Sequence, residues 1–278
     1  QQAQLNMGIF APKSISVGDL FAGAIIPGIC LVLLYLGYII FRVVVYPNSM
    51  PKAERTEPVA LTPIFKALAP PLLLIFAVLG SIIGGYATPT EAAGVGASGA
   101  LILGLLYSRI DLRKLSEVCA ATLSTTGMVF FILVGASIFS LVFRGFGGEE
   151  LVHALFQQMP GGMWGALGIV MLVIFLLGFI LDFIEITFVV VPIVGPVLMA
   201  MGVDPIWLGI LIAVNLQTSF LTPPFGFALF YLRGVTPASV ATAEIYRGVV
   251  PFIGLQILLL CALLLWPEMA TWLPGLLK

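Results

Sequence analysis

The sequence predicts an all-α integral membrane protein with a re-entrant hairpin and a broken helix, and three observations carry that reading. Of 278 residues, 60% are hydrophobic and only 9% charged, with a mean hydropathy of +1.16. That leaves too few polar groups to cover a water-soluble globule. Apolar runs long enough to cross about 30 Å of hydrocarbon recur at 20–45, 64–86, 89–107, 116–143, 206–232 and 248–266. Inside the fifth run stands Asn215-Leu-Gln-Thr-Ser-Phe-Leu-Thr-Pro-Pro-Phe-Gly226. Pro223 and Pro224 remove two adjacent backbone donors, so a helix descending from Pro205 is expected to break there and leave the carbonyls of Gln217 to Leu221 unpaired.

Charge excludes some functions and orients the chain. A formal net charge of −1 with scattered basic residues carries no nucleic-acid footprint. Arg42, Lys52, Arg55, Lys66, Arg109, Arg113, Lys114, Arg233 and Arg247 fall on one side of the layout, and Lys13, Arg144 and Lys278 on the other. The positive-inside rule makes the first side cytoplasmic and puts both chain ends outside. Trp164, Trp207, Trp266 and Trp272 then all fall at the outer interface, with one wet indole edge each. Cys30, Cys119 and Cys261 lie in apolar segments and read as small buried hydrophobes. His153 has no second histidine or cysteine at ligand spacing, so a metal site other than an alkali-cation site is not expected. The chain opens Gln1-Gln2 with no initiator Met and no signal segment, and is expected to be a piece of a longer one.

In chain order, an external loop (1–19) precedes membrane spans over 20–143. Thr88-Pro-Thr-Glu91 reads as a capping box opening the third span. Gly96, Ala100 and Gly104 then form a small-residue stripe on which another helix can pack closely. An external interfacial segment (144–162) leads to a hairpin and broken helix over 163–232. The two arms meet at Asp182-Phe-Ile-Glu185, with Pro192 and Pro196 bending the second. Charge parity allows either two full spans joined by a short cytoplasmic turn or a re-entrant hairpin, and the hairpin is the favoured reading. Asp204-Pro205 reads as an N-cap with a first-turn proline. Thr236-Pro237 repeats that signal for a short cytoplasmic helix within 233–247, before the last span and an external tail (248–278).

The chemistry concentrates at the hairpin tip and the break. Asp182 and Glu185 are the carboxylates placed deep in the membrane, where an ionisable group is a functional candidate; capping of the tip by a helix N-terminus explains them equally well. Thr218, Ser219 and Thr222 bring hydroxyls to the break. There they can satisfy freed backbone groups or complete an oxygen shell around a hard cation. A broken helix at bilayer depth is a usual mark of a transporter's site, with carbonyls meeting a cation and the next half-helix's N-terminus meeting an anion. A channel would need polar positions repeated along several spans. An intramembrane protease would need an aspartate pair on facing helices. The chain is not expected to be an enzyme.

The segment Asn215 to Gly226 with its continuation Phe-Ala-Leu-Phe-Tyr-Leu-Arg-Gly234 resembles the large membrane subunit of tripartite ATP-independent periplasmic (TRAP) transporters. So do Ala87-Thr-Pro-Thr-Glu-Ala-Ala93, Gly178-Phe-Ile-Leu-Asp-Phe-Ile-Glu-Ile-Thr187 and Tyr246-Arg-Gly-Val-Val-Pro251. The resemblance implies a bacterial inner-membrane importer of organic anions, coupled to sodium and working with a small membrane subunit and a periplasmic substrate-binding protein. It implies an elevator mechanism built from two inverted repeats, the present residues holding the second repeat plus one span, with the first hairpin expected ahead of residue 1. Sodium is then the coupling ion and no other cofactor is implied. The matched tip and break place sodium at Asp182, Gln217, Thr218, Ser219 and Thr222. They place cargo at Glu185, Thr187, Asn215, Pro223, Pro224 and Gly226. The form of the break is most similar to the keto-acid and carboxylate branch. Proton coupling to an organic anion, or an ion channel, are the alternatives.

Overall fold

The computed structural model describes residues 15–47, 61–107, 110–222, 226–237 and 240–277, and those described are helical with short connections. Lys13, Lys52, Arg55, Arg109, Pro223, Pro224 and Lys278, which entered the charge layout and the site, lie outside the described residues. In chain order the helices are α1 (Val17–Val45), α2 (Leu61–Ile83), α3 (Pro89–Tyr107), α4 (Leu112–Gly145), α5 (Gly148–Gln157) and α6 (Gly162–Leu177). Then come α7 (Phe183–Ala200), α8 (Pro205–Ser219), α9 (Phe227–Val235), α10 (Thr242–Leu265) and α11 (Glu268–Leu276). Among the described residues six of these helices are long and apolar enough to cross a membrane. The chain divides into two compact units, one taking in Gly23–Tyr35 and Thr125–Lys278, the other Ser16–Ala22 and Leu36–Ser124.

In the second unit α2 packs on α3. Helix α2 ends where Gly85 adopts φ +72 and the Tyr86 amide turns back to the Ser81 carbonyl at 2.9 Å, a left-handed stop that glycine makes without a Cβ clash. The capping box follows as expected: the Thr88 amide and hydroxyl both donate to Glu91 Oε2 at 2.8 Å. The packing face of α3 is rotated from the expected stripe. Gly96 meets Val78 and Gly99 meets Leu74, while Ala100 is exposed. The stripe 96/100/104 reads every fourth residue, but with 3.6 residues per turn the face in contact drifts to 92, 96, 99 and 103.

The first unit is built around α8. Asp204 caps it as expected, its Oδ1 accepting from the amides of Ile206 and Trp207 at 2.9 and 3.0 Å. Ile206, Trp207, Leu208, Ile210, Leu211, Ile212, Val214 and Leu216 are all buried. A helix apolar on every side belongs in the middle of a bundle. Its neighbours are α6, α10 and α11, and α1 approaches through Gly23, where a Cβ would come within 2.8 Å of the Ala270 carbonyl. Trp207 departs from the interfacial expectation. It is only 3% exposed, its Nε1 donates to the Leu263 carbonyl at 2.8 Å, and its ring meets Trp164 edge-on at 5.5 Å. The position beside the N-cap turns its polar edge toward α10, so a carbonyl replaces water as the partner. Trp164, Trp266 and Trp272 are exposed.

The segment after Thr236 also differs from its reading. The chain forms α10 from Thr242 onward, opened by the Ala241 amide donating to Glu244 Oε2 at 3.3 Å, and Arg247 lies within this long helix. Gly248 and Pro251 lie inside this helix without ending it, so the first turns continue into the span.

Candidate functional site at the hairpin and the helix break

Length alone keeps either half of the broken helix from crossing a membrane. Helix α8 has 15 residues and α9 has 9, or about 22 and 13 Å at 1.5 Å per residue, so neither crosses the roughly 30 Å core alone. The described residues between them, 220–222 and 226, form a compact turn. Its carbonyls are not left as an open row. Those of Gln217, Thr218 and Ser219 accept from the amides of Phe220, Leu221 and Thr222 at 3.3, 3.1 and 3.2 Å, and that of Phe220 accepts across the break from Ala228 at 3.2 Å. The helix end tightens to three-residue turns, which a terminus does when its usual donors are lost.

The hydroxyls complete this winding. Thr218 donates to the Asn215 carbonyl and Ser219 to that of Leu216, while Thr222 Oγ1 donates to the Thr218 carbonyl at 2.6 Å. Thr218 and Thr222 are buried. A hydroxyl whose proton is committed to a carbonyl has lone pairs for a further partner, and that partner must be a donor or a cation. Gln217 is exposed on the same turn, and Gly226, the buried N-cap of α9, donates its amide to the Thr222 carbonyl at 2.9 Å.

The hairpin reaches this break with its turn. Arms α6 and α7 are joined through 178–182. A Cβ on Gly178 would lie 2.8 Å from Ser219 Cβ, and the Phe183 ring stands 5.3 Å from that of Phe220. Asp182 is half-buried and caps α7, its Oδ1 accepting from the Phe183 amide at 2.7 Å. Three and five residues after this cap, Glu185 is half-buried and Thr187 exposed. There the helix widens to a π-turn over Ile186–Val190, closed by the Val191 amide donating to the Ile186 carbonyl. Pro192 has no amide to give Phe188, and its ring would strike that carbonyl in an α-helix; a wider turn relieves the clash.

Asn215 sits apart from this surface. It is 1% exposed, its Nδ2 donates to the Met171 carbonyl at 2.7 Å and ties α8 to α6, and its Oδ1 is buried without a partner. Sequence reasoning missed this clamp and the Gly178 seat. Gly178 leaves a trace, a glycine closing an apolar arm; nothing in the sequence pairs Asn215 with Met171.

A family model described as "Tripartite ATP-independent periplasmic transporter, DctM component" matches residues 4–269. The chain belongs to this family. Among its relatives, the sialic acid TRAP transporter large permease protein SiaM of Vibrio cholerae is 30% identical over 265 residues, covering 94% of this chain and 60% of the relative. The C4-dicarboxylate TRAP transporter large permease protein DctM of Pseudomonas aeruginosa is 30% identical, covering 97% and 65%. The sialic acid TRAP transporter permease protein SiaT of Haemophilus influenzae is 30% identical, covering 99% and 44%. This TRAP family chain therefore spans between 44% and 65% of the length of these curated relatives. The relatives are permeases and not enzymes, and the six apolar helices make the TRAP chain a multi-pass protein of the bacterial inner membrane.

Proposed function

We propose that the chain forms part of a sodium-coupled secondary importer of organic acids, working with a small membrane subunit and a periplasmic binding protein. One observation carries the reading: two irregular segments, the hairpin turn at Gly178 and the helix break at Ser219, are in contact. Irregular backbone at bilayer depth is tolerated where it is buried in protein or lines a cavity. In this reading α6, with 16 residues or about 24 Å, enters and turns back without crossing.

Sodium would be held by the hydroxyl oxygens of Thr218, Ser219 and Thr222 with Gln217, and Asp182 would supply the nearby negative charge. The carbonyls enter this site differently from the sequence reading. Most of them already accept one hydrogen bond, so the hydroxyl lone pairs share the coordination with what acceptor capacity the carbonyls keep. The cargo carboxylate would lie toward Gly226, Pro223 and Pro224 at the start of α9, whose positive end favours an anion. Glu185 and Thr187 would face the cargo's hydroxyl or amide groups, and Asn215 would hold the wall in place. Cation and carboxylate on opposite sides of one break each lower the electrostatic cost of the other, which couples them. Relatives named for sialic acid and C4-dicarboxylates both carry carboxylates, which supports an organic acid, with a keto acid as the finer reading. The elevator motion of the hairpin and broken helix belongs to the same proposal.

The test is uptake of radiolabelled organic acids by the complete transporter in proteoliposomes, with binding protein added outside. Uptake should follow an imposed inward sodium gradient and vanish when only a proton gradient is imposed. Uptake driven by protons alone would replace sodium coupling with proton coupling.

A further inference from the structure

We propose that the groove between α2 and α3 holds the headgroup of an acidic glycerophospholipid of the phosphatidylglycerol type. The groove has a volume of about 590 Å³ and is lined by Lys66, Ala67, Pro70, Pro71, Leu103 and Tyr107 among others. Its chemistry follows from two consecutive prolines inside a continuous helix. Pro70 has no amide for the Lys66 carbonyl four residues earlier, and the Tyr107 hydroxyl of α3 donates to that carbonyl at 3.3 Å. The Ala67 carbonyl is denied more. Its donor in a three-residue turn would be Pro70 and in an α-turn Pro71, and neither has an N–H. An acceptor in that position calls for an external donor.

The groove thus presents three things to an occupant: an exposed ammonium on Lys66, a carbonyl acceptor on Ala67, and apolar walls of proline and leucine. A phosphatidylglycerol matches each. Its phosphate meets Lys66, a glycerol hydroxyl donates to Ala67, and its acyl chains run along the apolar helix faces. Charge selects the leaflet as well. Lys66 belongs to the basic side of the layout with Arg42, Arg113, Lys114, Arg233 and Arg247. Basic clefts between helices on the cytoplasmic side are where acidic headgroups bind. The proposal is independent of the transport reading.

The test titrates the delipidated complete transporter in micelles with phosphatidylglycerol, phosphatidylethanolamine and phosphatidylcholine of matched acyl chains, and counts bound lipid by native mass spectrometry. Phosphatidylglycerol should bind about fivefold tighter than the other two, the contribution of one lysine near an acidic headgroup. Lys66→Gln, at an exposed side chain, should remove that preference. Pro71→Ala leaves the charge unchanged but gives Ala67 an internal donor, and should weaken phosphatidylglycerol as well. Circular dichroism confirms that both variants stay helical. Soluble glycerol phosphate should not compete, because it cannot use the apolar walls. Equal binding of the three lipids, a preference that survives both variants, or displacement by glycerol phosphate would overturn the proposal.

Discussion

Two proline pairs stand in apolar stretches of this chain, and only one coincides with a helix break. Pro70-Pro71 lie within α2, which runs unbroken from Leu61 to Ile83. Pro223-Pro224 fall in the interval where α8 has ended at Ser219 and α9 has not begun. The neighbours differ. Before Pro70 come Ala67, Leu68 and Ala69, and after Pro71 three leucines, good helix formers without groups that compete for the backbone. Before Pro223 come Thr218, Ser219 and Thr222, whose hydroxyls take carbonyls three and four residues back, and Gly226 follows. Missing amides weaken a helix; side chains that capture its carbonyls end it.

The largest effect should come from the seat of the hairpin on the break. Gly178→Leu drives a side chain into Ser219, where even a Cβ lies at 2.8 Å, and should destabilise by about 2–3 kcal/mol, read as a fall in melting temperature in detergent. Gly80→Ala in α2 has open space within 4 Å and should be neutral or gain up to about 1 kcal/mol of helix propensity. Equal effects at the two glycines would remove the contrast between the regions. A smaller loss is expected from Asn215→Leu, which deletes the donor to Met171 together with the unpartnered Oδ1, so about 1 kcal/mol remains. Unchanged stability would mean the clamp contributes nothing net. The smallest shift belongs to Pro71→Ala, which restores one backbone bond in α2 for a gain below about 1 kcal/mol, measured by urea or thermal unfolding. A loss instead would show that α2 depends on its notch.

Hydropathy made five of the six spanning-length helices legible, the sixth being α7 (Phe183–Ala200), which the sequence reading took as a hairpin arm. The proline pair with its hydroxyls marked the break, because both effects act along the chain. Thr88, Glu91, Asp204 and Pro205 were readable for the same reason: a cap is a local exchange of hydrogen bonds. Long-range pairings were not. The burial of Trp207 against Leu263, the Asn215–Met171 tie and the drift of the α3 face from Ala100 to Gly99 depend on which helix becomes a neighbour. At the break itself, the sequence foretold lost donors but not the tightened turn that re-pairs the carbonyls of Gln217 to Phe220.

That re-pairing makes the hydroxyls central, and one substitution asks whether they hold the cation. Thr222→Val keeps the side-chain shape, deletes the oxygen that donates to the Thr218 carbonyl at 2.6 Å, and leaves the binding protein untouched. In the complete transporter the sodium concentration for half-maximal uptake should rise about tenfold, equivalent to about 1.4 kcal/mol, and Thr222→Ser should restore it. An unaltered sodium dependence in Thr222→Val, and again in Thr218→Val, would place the cation elsewhere.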